Sequence, residues 1–467
     1  MEKEKTAAER MSEALLRKDT TVYDGFAPDN RAAAERYAGE YMAFMNAAKT
    51  EREFTAKAVE YLEARGFSAF DPKRKYSAGE RVYFNNRKKS LIAAVIGSLP
   101  LEEGARLAAA HIDSPRLDLK PNPLYEDSGL CFFKTHYYGG IKKYQWTAIP
   151  LAIHGAVVLE SGACVDVVIG EDEGDPIFCV TDILPHLSYK VQDERKARDV
   201  ISGEELNILL GSEPVGDKKI KDPVKLNVMR LLNEKYGVVE DDFVSAELEI
   251  VPAMKARFLG LDRSMIGAYA HDDRVCAYTA LTAFADVKDC AHTALLVLAD
   301  KEEIGSDGNT GLNSDFIRHF LSLLCKRAGA DVELMLHHTK ALSADVNAGF
   351  DPSFPSVSEK RNCAYLAGGP VVTKYTGARG KSSTNDASAE FVAEVRALLN
   401  RSAIPWQTGE LGKVDEGGGG TVAKYISYLG AEVIDIGVPL LSMHAPYEVA
   451  NIFDIYALCR AFGCFFA

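Results

Sequence analysis

Residues 106–113 read Arg-Leu-Ala-Ala-Ala-His-Ile-Asp, an apolar run that ends in a histidine and a carboxylate. The run predicts a buried strand that presents His111 and Asp113 at its tip. In open α/β sheets, functional groups gather at the carboxyl ends of the strands. The stretch therefore predicts an element of the central sheet and the start of a metal site.

Other potential ligands also occur at or near the ends of apolar runs. They are Asp272 and Asp273, Glu302 and Glu303, Asp345, and His444. One such ending is weak support for a site. Several endings with complementary ligand chemistry predict that the ends of neighbouring strands bring these side chains into one crevice.

The ligand types narrow the choice of metal. Two histidines with three carboxylates suit zinc, manganese or cobalt, and give little reason to expect copper or an iron–sulfur cluster. A hydrolase that needs a hydroxide nucleophile often uses two such ions, about 3.5–4 Å apart. The sequence therefore predicts two divalent ions bridged by one carboxylate, with zinc preferred.

The adjacent glutamates Glu302 and Glu303 can take two different roles in such a site. They follow a buried run, and backbone geometry points neighbouring side chains apart. One glutamate can then hold a metal while the other reaches a water molecule and acts as general base.

The composition is that of a folded protein of more than one domain. The chain has 467 residues, of which 47% are hydrophobic and 26% charged, and this length predicts about two or three domains. Lys and Arg total 54 against 67 for Asp and Glu, a net charge of −13. Nucleic acid is an unfavourable partner for such a chain, because its phosphates would be repelled.

The sequence also argues against a membrane protein. No apolar stretch approaches the ~18 residues that a spanning helix needs, and the charged amino-terminal segment lacks the apolar core of a signal peptide. The nine cysteines include no Cys-x-x-Cys pair. They predict free thiols in a reducing compartment, and hence a cytoplasmic protein.

The predicted secondary structure differs between segments of the chain. Helix is predicted for residues 31–65, ending at Gly66, and strands for 81–84, 90–96 and 106–111, with 97–104 as a hairpin link. Residues 116–252 carry short β-rich runs. Within them, the charged stretch 190–221 is predicted to be a long loop or arm, either a flexible surface loop or an oligomer contact.

Helices and strands alternate after residue 252. The predicted helices are 274–287, 315–326, 387–400, 421–429 and 449–465, and the predicted strands are 293–299, 332–337 and 432–437. This alternation favours an α/β fold with a mainly parallel sheet flanked by helices. We expect a zinc-peptidase-like catalytic domain made of residues 1–115 and 253–467, interrupted by a smaller β-rich domain, 116–252.

Five ordered motifs carry a resemblance to a known family. They are HIDSPRLDLK from His111, AHDDRVCAY from Ala270, DKEEIGS from Asp300, LSADVNAGFDPSF from Leu342 and LLSMHAPYE from Leu440. Together they resemble the aspartyl aminopeptidase (aminopeptidase I) family of dinuclear metallopeptidases, and most of all its bacterial members. The resemblance covers nearly the whole chain.

The resemblance implies a role for each site residue. One metal would be held by His111, Asp272 and Asp345, and the second by Asp272, Glu303 and His444. Asp272 would bridge the two ions, and we prefer it to Asp273 because the matching family motif is Asp-Asn with its first residue as ligand. The implied catalytic residues are Glu302 as general base and Asp113 as the carboxylate that orients a ligand imidazole.

The family also implies substrate contacts and an assembly. His186, in a Pro-His-Leu motif, would reach an active site, that of a neighbouring subunit included, although a structural turn histidine is the alternative. Lys374 would pair with a substrate carboxylate, with an ordinary exposed lysine as the alternative. A homo-oligomer, and specifically a dodecamer, is implied, with the β-rich domain in its contacts.

These features predict an aminopeptidase that removes amino-terminal residues from peptides. The family prefers acidic residues, but the segment KYTGARGKSSTN from Lys374 departs from the family pattern, so acidic and neutral residues both remain open. The alternatives are a dinuclear hydrolase acting on acyl-amino acids or carboxyl termini, and an inactive metal-stabilised assembly protein. The presence of Glu302 favours an enzyme, because a scaffold needs ligands but no base.

Overall fold

The structure is a computed structural model, and it describes residues 5–17, 20–217 and 219–467. Its α-helices are α1 (Ala7–Leu15), α2 (Phe26–Ala47), α3 (Glu51–Glu63), α4 (Pro185–Ser188), α5 (Pro223–Tyr236), α6 (His271–Ala285), α7 (Phe316–Ala328), α8 (Val332–His338), α9 (Ala389–Arg401), α10 (Ala423–Ser427) and α11 (Ile452–Phe466). Within the described residues, no helix combines the length and apolar character needed to cross a bilayer.

The strands belong to three sheets. In chain order they are β1 (Ser68–Ala69), β2 (Arg81–Asn86), β3 (Ser90–Val95), β4 (Ala105–His111), β5 (Arg116–Asp127), β6 (Leu130–Tyr138), β7 (Leu151–Val158), β8 (Cys164–Ile169), β9 (Cys179–Val180), β10 (Asn207–Gly211), β11 (Ala246–Pro252), β12 (Arg257–Leu259), β13 (Met265–Ala268), β14 (Thr293–Ala299), β15 (Lys340–Ala344), β16 (Asn347–Ala348), β17 (Val371–Thr373), β18 (Gln407–Thr408), β19 (Glu432–Gly437), β20 (Pro439–Leu441) and β21 (Glu448–Asn451).

The largest sheet is mixed. Its order is β1-β2-β3-β14-β4-β15-β19-β17-β18. The central strands β14, β4, β15 and β19 run parallel to one another, whereas β3 and β17 join them antiparallel. Helices pack on this sheet, so the chain has the α/β character that the sequence predicts.

Both faces of the central sheet are buried. On β4, Leu107 and Ala109 face one apolar core, to which α7 and α8 contribute. Ala108 and Ala110 face the other core, which contains α6 and α11. Because successive side chains of a strand point to opposite faces, a strand buried on both sides must be apolar throughout. This explains the uninterrupted run before His111.

The parallel strands place potential ligands at one edge. His111 is the last residue of β4 and pairs with Ala299, the last residue of β14. Glu302 and Glu303 follow three and four residues later, in a single 3-10 turn. On the other side of β4, β15 ends immediately before Asp345. The carboxyl ends of these strands therefore converge, as expected for a parallel arrangement.

The remaining sheets are antiparallel in most pairings. A seven-stranded sheet has the order β8-β7-β11-β5-β6-β10-β9, and all its strands come from residues 116–252. A five-stranded sheet has the order β12-β13-β21-β20-β16. The second of these supports the metal site, because His444 lies between β20 and β21 and Asp272 follows β13 after a short turn.

The strand predicted for residues 332–337 is wrong, because this segment forms helix α8. The Asp331 side chain caps it by accepting from the backbone N–H groups of Glu333 and Leu334. A short apolar run such as this one fits a strand or a helix equally well. The true strand is β15, and Asp345 therefore follows its strand directly rather than at a distance.

Three other expectations need correction. The predicted helix 31–65 is two helices, because Thr50 caps a new one with a capping box to Glu53. The link 97–104 is no hairpin, since β14 lies between β3 and β4. The predicted arm 190–221 contains β10, which pairs with β6 and β9; its residue 218 lies outside the described part of the chain.

Buried charges join the seven-stranded sheet to the amino-terminal helices. The His154 ring on β7 contacts Glu53 of α3 through Nδ1 (2.7 Å) and Glu171 through Nε2 (3.0 Å). Glu171 also pairs with Lys49 Nζ at 2.6 Å. Lys49 and His154 are 3% and 2% exposed, so the contacts are shielded from water.

This junction makes stability depend on pH. Burial alone would lower the pKa of His154, but its hydrogen bonds to Glu171 and Glu53 outweigh it and raise the pKa above the ordinary 6.5. The charged imidazole therefore stabilises the fold fully below about pH 6.5, and this contribution is lost as the pH rises through the raised value.

We predict that His154→Gln lowers the free energy of unfolding by roughly 3 kcal/mol at pH 6, because the partly buried Glu53 and Glu171 carboxylates lose the charged imidazole between them. We expect a clearly smaller loss at pH 9. Denaturant titrations at the two pH values measure this difference. His136→Gln, at an exposed histidine of β6, is the control and should have little effect at either pH. An equal loss at pH 6 and pH 9 for His154→Gln would contradict the prediction.

Candidate metal centre

Asp272 lies between two histidines. Its Oδ1 is 3.2 Å from His111 Nε2, and its Oδ2 is 3.2 Å from His444 Nε2. The residue sits at the start of α6 with non-helical backbone angles, joined to Asp273 by a cis peptide bond. Each oxygen of one carboxylate therefore faces a different imidazole, which is the arrangement of a bridging ligand.

The predicted ligands form compact groups around Asp272. Side-chain atoms of His111, Asp272 and Asp345 lie within 4.8 Å of one another, and so do those of Asp272, Glu303 and His444. A further group, within the same limit, combines His111 with Glu302 and Glu303. The structure thus brings all the predicted ligands and the predicted base into one crevice.

Asp273 is placed differently from its neighbour. It is fully buried beside the Cys276 thiol and belongs to none of the groups found among the described residues. His271 is also directed away, because its Nδ1 lies 2.7 Å from the Tyr41 hydroxyl and its ring stacks on Tyr41. The geometry therefore favours Asp272 as the shared ligand.

Asp113 holds the turn that carries both glutamates. Its carboxylate accepts the backbone N–H of Glu302 at 3.1 Å and that of Glu303 at 3.2 Å. The nearer partner of His111 Nδ1 is the backbone carbonyl of Asp113 at 3.0 Å, with the carboxylate at 3.4 Å. Asp113 thus contacts the imidazole, as expected, and also fixes the glutamate turn, which the sequence did not suggest.

The electrostatics reflect crowded negative charge. Burial raises the pKa of Glu302 to about 7, helped by the charges of Asp113 and Asp272. Burial and Asp272 likewise raise the pKa of Glu303 well above its ordinary value. For Asp272 burial also raises the pKa, but the hydrogen bonds to His111 and His444 outweigh it and the pKa is lowered.

The residues present fit divalent metal ions. The donor set consists of imidazole nitrogens and carboxylate oxygens, which zinc accepts. Glu303 Oε1 is buried and makes no hydrogen bond within the described structure, although a buried polar atom nearly always has a partner. A cation between Glu303, Asp272 and His444 would supply one and would offset the repulsion among the carboxylates.

Glu448 supports the cluster in a way that the sequence did not predict. It lies on β21, is 1% exposed, and accepts the backbone N–H of Asp272 at 3.0 Å and of His444 at 2.6 Å. One buried carboxylate thereby holds the main chain of two potential ligands. Its place at the end of the LLSMHAPYE motif was visible, but contacts to backbone N–H groups leave no pattern in a sequence.

The two predicted substrate residues do not contact the cluster. His186 lies on the short helix α4 of the segment 116–252 and is exposed. Lys374 follows β17 and is also exposed. Neither makes a hydrogen bond or ion pair with the cluster in the described structure, so their roles stay predictions.

Comparisons with known proteins identify the family of the chain. The profile of the family described as "Aminopeptidase I zinc metalloprotease (M18)" matches residues 44–466. A protein of Clostridium acetobutylicum named a probable M18 family aminopeptidase 1 is 48% identical over 465 residues, covering 97% of this chain and 99% of that one.

Solved structures share the fold. The crystal structure of an M18 family aminopeptidase from Thermotoga maritima superposes with a TM-score of 0.91 at 42% identity, covering 96% of this chain and 99% of that chain. The S. cerevisiae mApe1 dodecamer has a TM-score of 0.75 at 20% identity, covering 92% of this chain and 96% of that chain; at this identity the likeness concerns the fold alone.

We predict that Glu448→Gln weakens zinc binding roughly tenfold, a typical cost of losing a group that orients ligands. An amide offers one acceptor oxygen where the carboxylate offers two, so Asp272 or His444 would lose its partner. Competition with a zinc chelator measures the change. Glu432→Gln, at an exposed glutamate of β19, is the control, and an affinity in Glu448→Gln equal to that of the control would contradict the prediction.

Proposed function

The chain belongs to the M18 family of aminopeptidase I zinc metalloproteases, and we propose that its histidine and carboxylate cluster is a two-zinc centre for peptide hydrolysis. As a member of this family the protein is a metal-dependent aminopeptidase. The single observation that carries the two-zinc proposal is the Asp272 carboxylate, whose oxygens face His111 and His444 at equal distances of 3.2 Å.

The ligands divide into two sets that share Asp272. His111, Asp272 and Asp345 would hold one zinc ion, and Asp272, Glu303 and His444 would hold the other. Both sets are supported by the close approach of their side-chain atoms. Manganese and cobalt accept the same donors, so they remain candidates beside zinc.

Zinc bound by these ligands would supply the Lewis acidity that polarises a peptide carbonyl and makes a water molecule easier to deprotonate. Glu302 is suited to take that proton. Its side chain is 20% exposed, against 3% for Glu303 and 5% for Asp272, so water reaches it more easily. A carboxylate in this position can accept the proton and then deliver it to the leaving amine.

The restriction to amino-terminal residues follows from the acidic surroundings. A free ammonium group at the end of a peptide would pair with one of the cluster carboxylates, which an internal amide cannot do. Lys374 and His186 are proposed to contact the rest of the substrate, His186 from a neighbouring subunit. Acidic and neutral first residues both remain compatible with these contacts.

Family membership favours this activity over the two alternatives. The relatives are named aminopeptidases, which speaks against a hydrolase of acyl-amino acids or carboxyl termini. Glu302, which a scaffold would not need, lies in the crevice beside His111. An inactive assembly protein is therefore the weaker hypothesis.

We also propose how the chain is divided and assembled. Residues 1–115 and 253–467 would form the catalytic domain around a mainly parallel sheet, and residues 116–252 a smaller inserted domain. Exposed apolar side chains on this insertion, Leu187 and Tyr189 at 62% and 66%, support a role in contacts between subunits. The shared fold with a dodecameric aminopeptidase supports a homo-oligomer of that size, and nine free thiols support a cytoplasmic location.

We predict that Glu302→Gln lowers kcat by roughly 10²–10⁴-fold, the usual contribution of a general base, while two zinc ions per chain are retained. The assay is release of free amino acid from dipeptides that begin with Asp, Glu, Leu or Ala, with zinc, manganese or cobalt added. The same panel ranks the residue preference.

The neighbouring substitution Glu303→Gln is the matched control. It removes a proposed ligand rather than the base, so it should lose zinc as well as activity. If Glu302→Gln retained activity, the proposed base would be wrong. If wild-type protein loaded with each metal cleaved no dipeptide of the panel, the aminopeptidase activity itself would be contradicted.

A further inference from the structure

Three consecutive residues at the end of β6 approach the proposed metal ligands and their support. They are Tyr138, the last residue of β6, and Gly139 and Gly140, which follow it; we call them the β6 strap. The strap belongs to residues 116–252, yet its contacts lie on the catalytic side of the molecule. Each of its three residues meets a different group of the proposed centre.

Tyr138 supports the glutamate turn through Asp113. Its hydroxyl donates to Asp113 Oδ2 at 2.8 Å, the oxygen that also accepts the Glu303 N–H. The phenol is held in place because the Arg116 guanidinium lies over its ring, 3.9 Å from the centroid. Arg116 in turn pairs with Glu249 at 3.1 Å, so the tyrosine is anchored on the seven-stranded sheet.

Gly139 leaves room for Glu303. A Cβ atom at this position would lie 3.0 Å from Glu303 Oε2 and 3.3 Å from Glu303 Cβ. The backbone φ of Gly139 is +75°, in a region that residues other than glycine rarely adopt. Two independent constraints therefore favour glycine, and the strap passes close enough to limit where the Glu303 side chain can lie.

Gly140 orients His444. The Nδ1–H of His444 donates to the Gly140 carbonyl at 2.7 Å. This bond fixes a proton on Nδ1 and directs Nε2 at Asp272 Oδ2 and Glu303 Oε1. Imidazole ligands of metals commonly have their second nitrogen held in this way.

We propose that the β6 strap is a positioning device that holds Glu303 and His444 in place for the zinc ion they share with Asp272. This inference rests on the proposed function, since it needs a metal centre to position. It assigns to residues 116–252 a part in metal retention that is separate from contacts between subunits. In the described structure His111 and Asp345 make no hydrogen bond or ion pair with the strap, and His111 faces the other oxygen of Asp113, Oδ1. The ion held by His111 and Asp345 therefore depends on the strap less.

Tyr138→Phe removes only the hydroxyl and keeps the ring beneath Arg116. Gly139→Ala adds a Cβ against Glu303 and also strains the backbone at a φ of +75°. In each variant we expect one of the two zinc ions to bind roughly 10- to 100-fold more weakly, while the other binds as in wild type. We also expect kcat to fall with KM for a dipeptide nearly unchanged. Chelator competition on the zinc-loaded protein, followed by zinc analysis, measures the retention of each ion.

Tyr137→Phe is the matched control. Tyr137 precedes Tyr138 on the same strand but is 39% exposed, so its side chain points away from Asp113. The control should retain both ions with wild-type affinity. A role in stability alone would lower the unfolding temperature of Tyr138→Phe without the selective loss of one ion.

The outcomes separate this inference from the proposed function. Suppose that the wild type binds two zinc ions and that Tyr138→Phe and Gly139→Ala bind both ions with wild-type affinity. This result would contradict the positioning role of the strap but would leave the two-zinc centre supported. Equal weakening of both ions would also overturn it, because the strap contacts only one set of ligands. Wild type that bound no zinc would overturn the two-zinc centre and the strap together.

Discussion

The position of the Asp272 carboxylate between two imidazoles is the constraint on which the site depends. Like charges on Glu303 and Asp345 lie close by in a buried crevice, where repulsion is only weakly screened. The main chain of Asp272 is therefore held on both sides: Glu448 accepts its N–H, and the Ser114 hydroxyl donates to its carbonyl at 2.8 Å. Divalent cations would turn this repulsion into attraction.

Three sheets meet at this carboxylate, and each contributes a different kind of group. The central sheet supplies His111, the glutamate turn and Asp345 from the ends of parallel strands. The five-stranded sheet supplies His444 with Glu448. The seven-stranded sheet supplies no proposed ligand, but its β6 strap contacts the others. The proposed base Glu302 thus stands on a frame assembled from distant parts of the chain.

The sequence predicted which of the proposed ligands lie together, but it did not predict the contacts that support them. The apolar runs before His111 and before Glu302 predicted strands correctly, because strands buried on both faces are apolar throughout. The strand before Asp345 was misplaced, since the run 332–337 fits a helix as well as a strand. Glu448 and Tyr138 escaped detection because they act through backbone N–H groups and through Asp113, contacts between residues far apart in the chain. The position of β14 between β3 and β4 likewise results from long-range pairing, which no local sequence pattern predicts.

The most direct test of the two-zinc centre is a crystal structure of the zinc-loaded wild-type protein, with anomalous difference maps recorded at the zinc absorption edge. Two peaks per chain are expected, about 3.5–4 Å apart, one on each side of the Asp272 carboxylate. One peak would be contacted by His111 and Asp345, and the other by Glu303 and His444. A single peak, or peaks away from Asp272, would contradict the bridging role on which the mechanism rests.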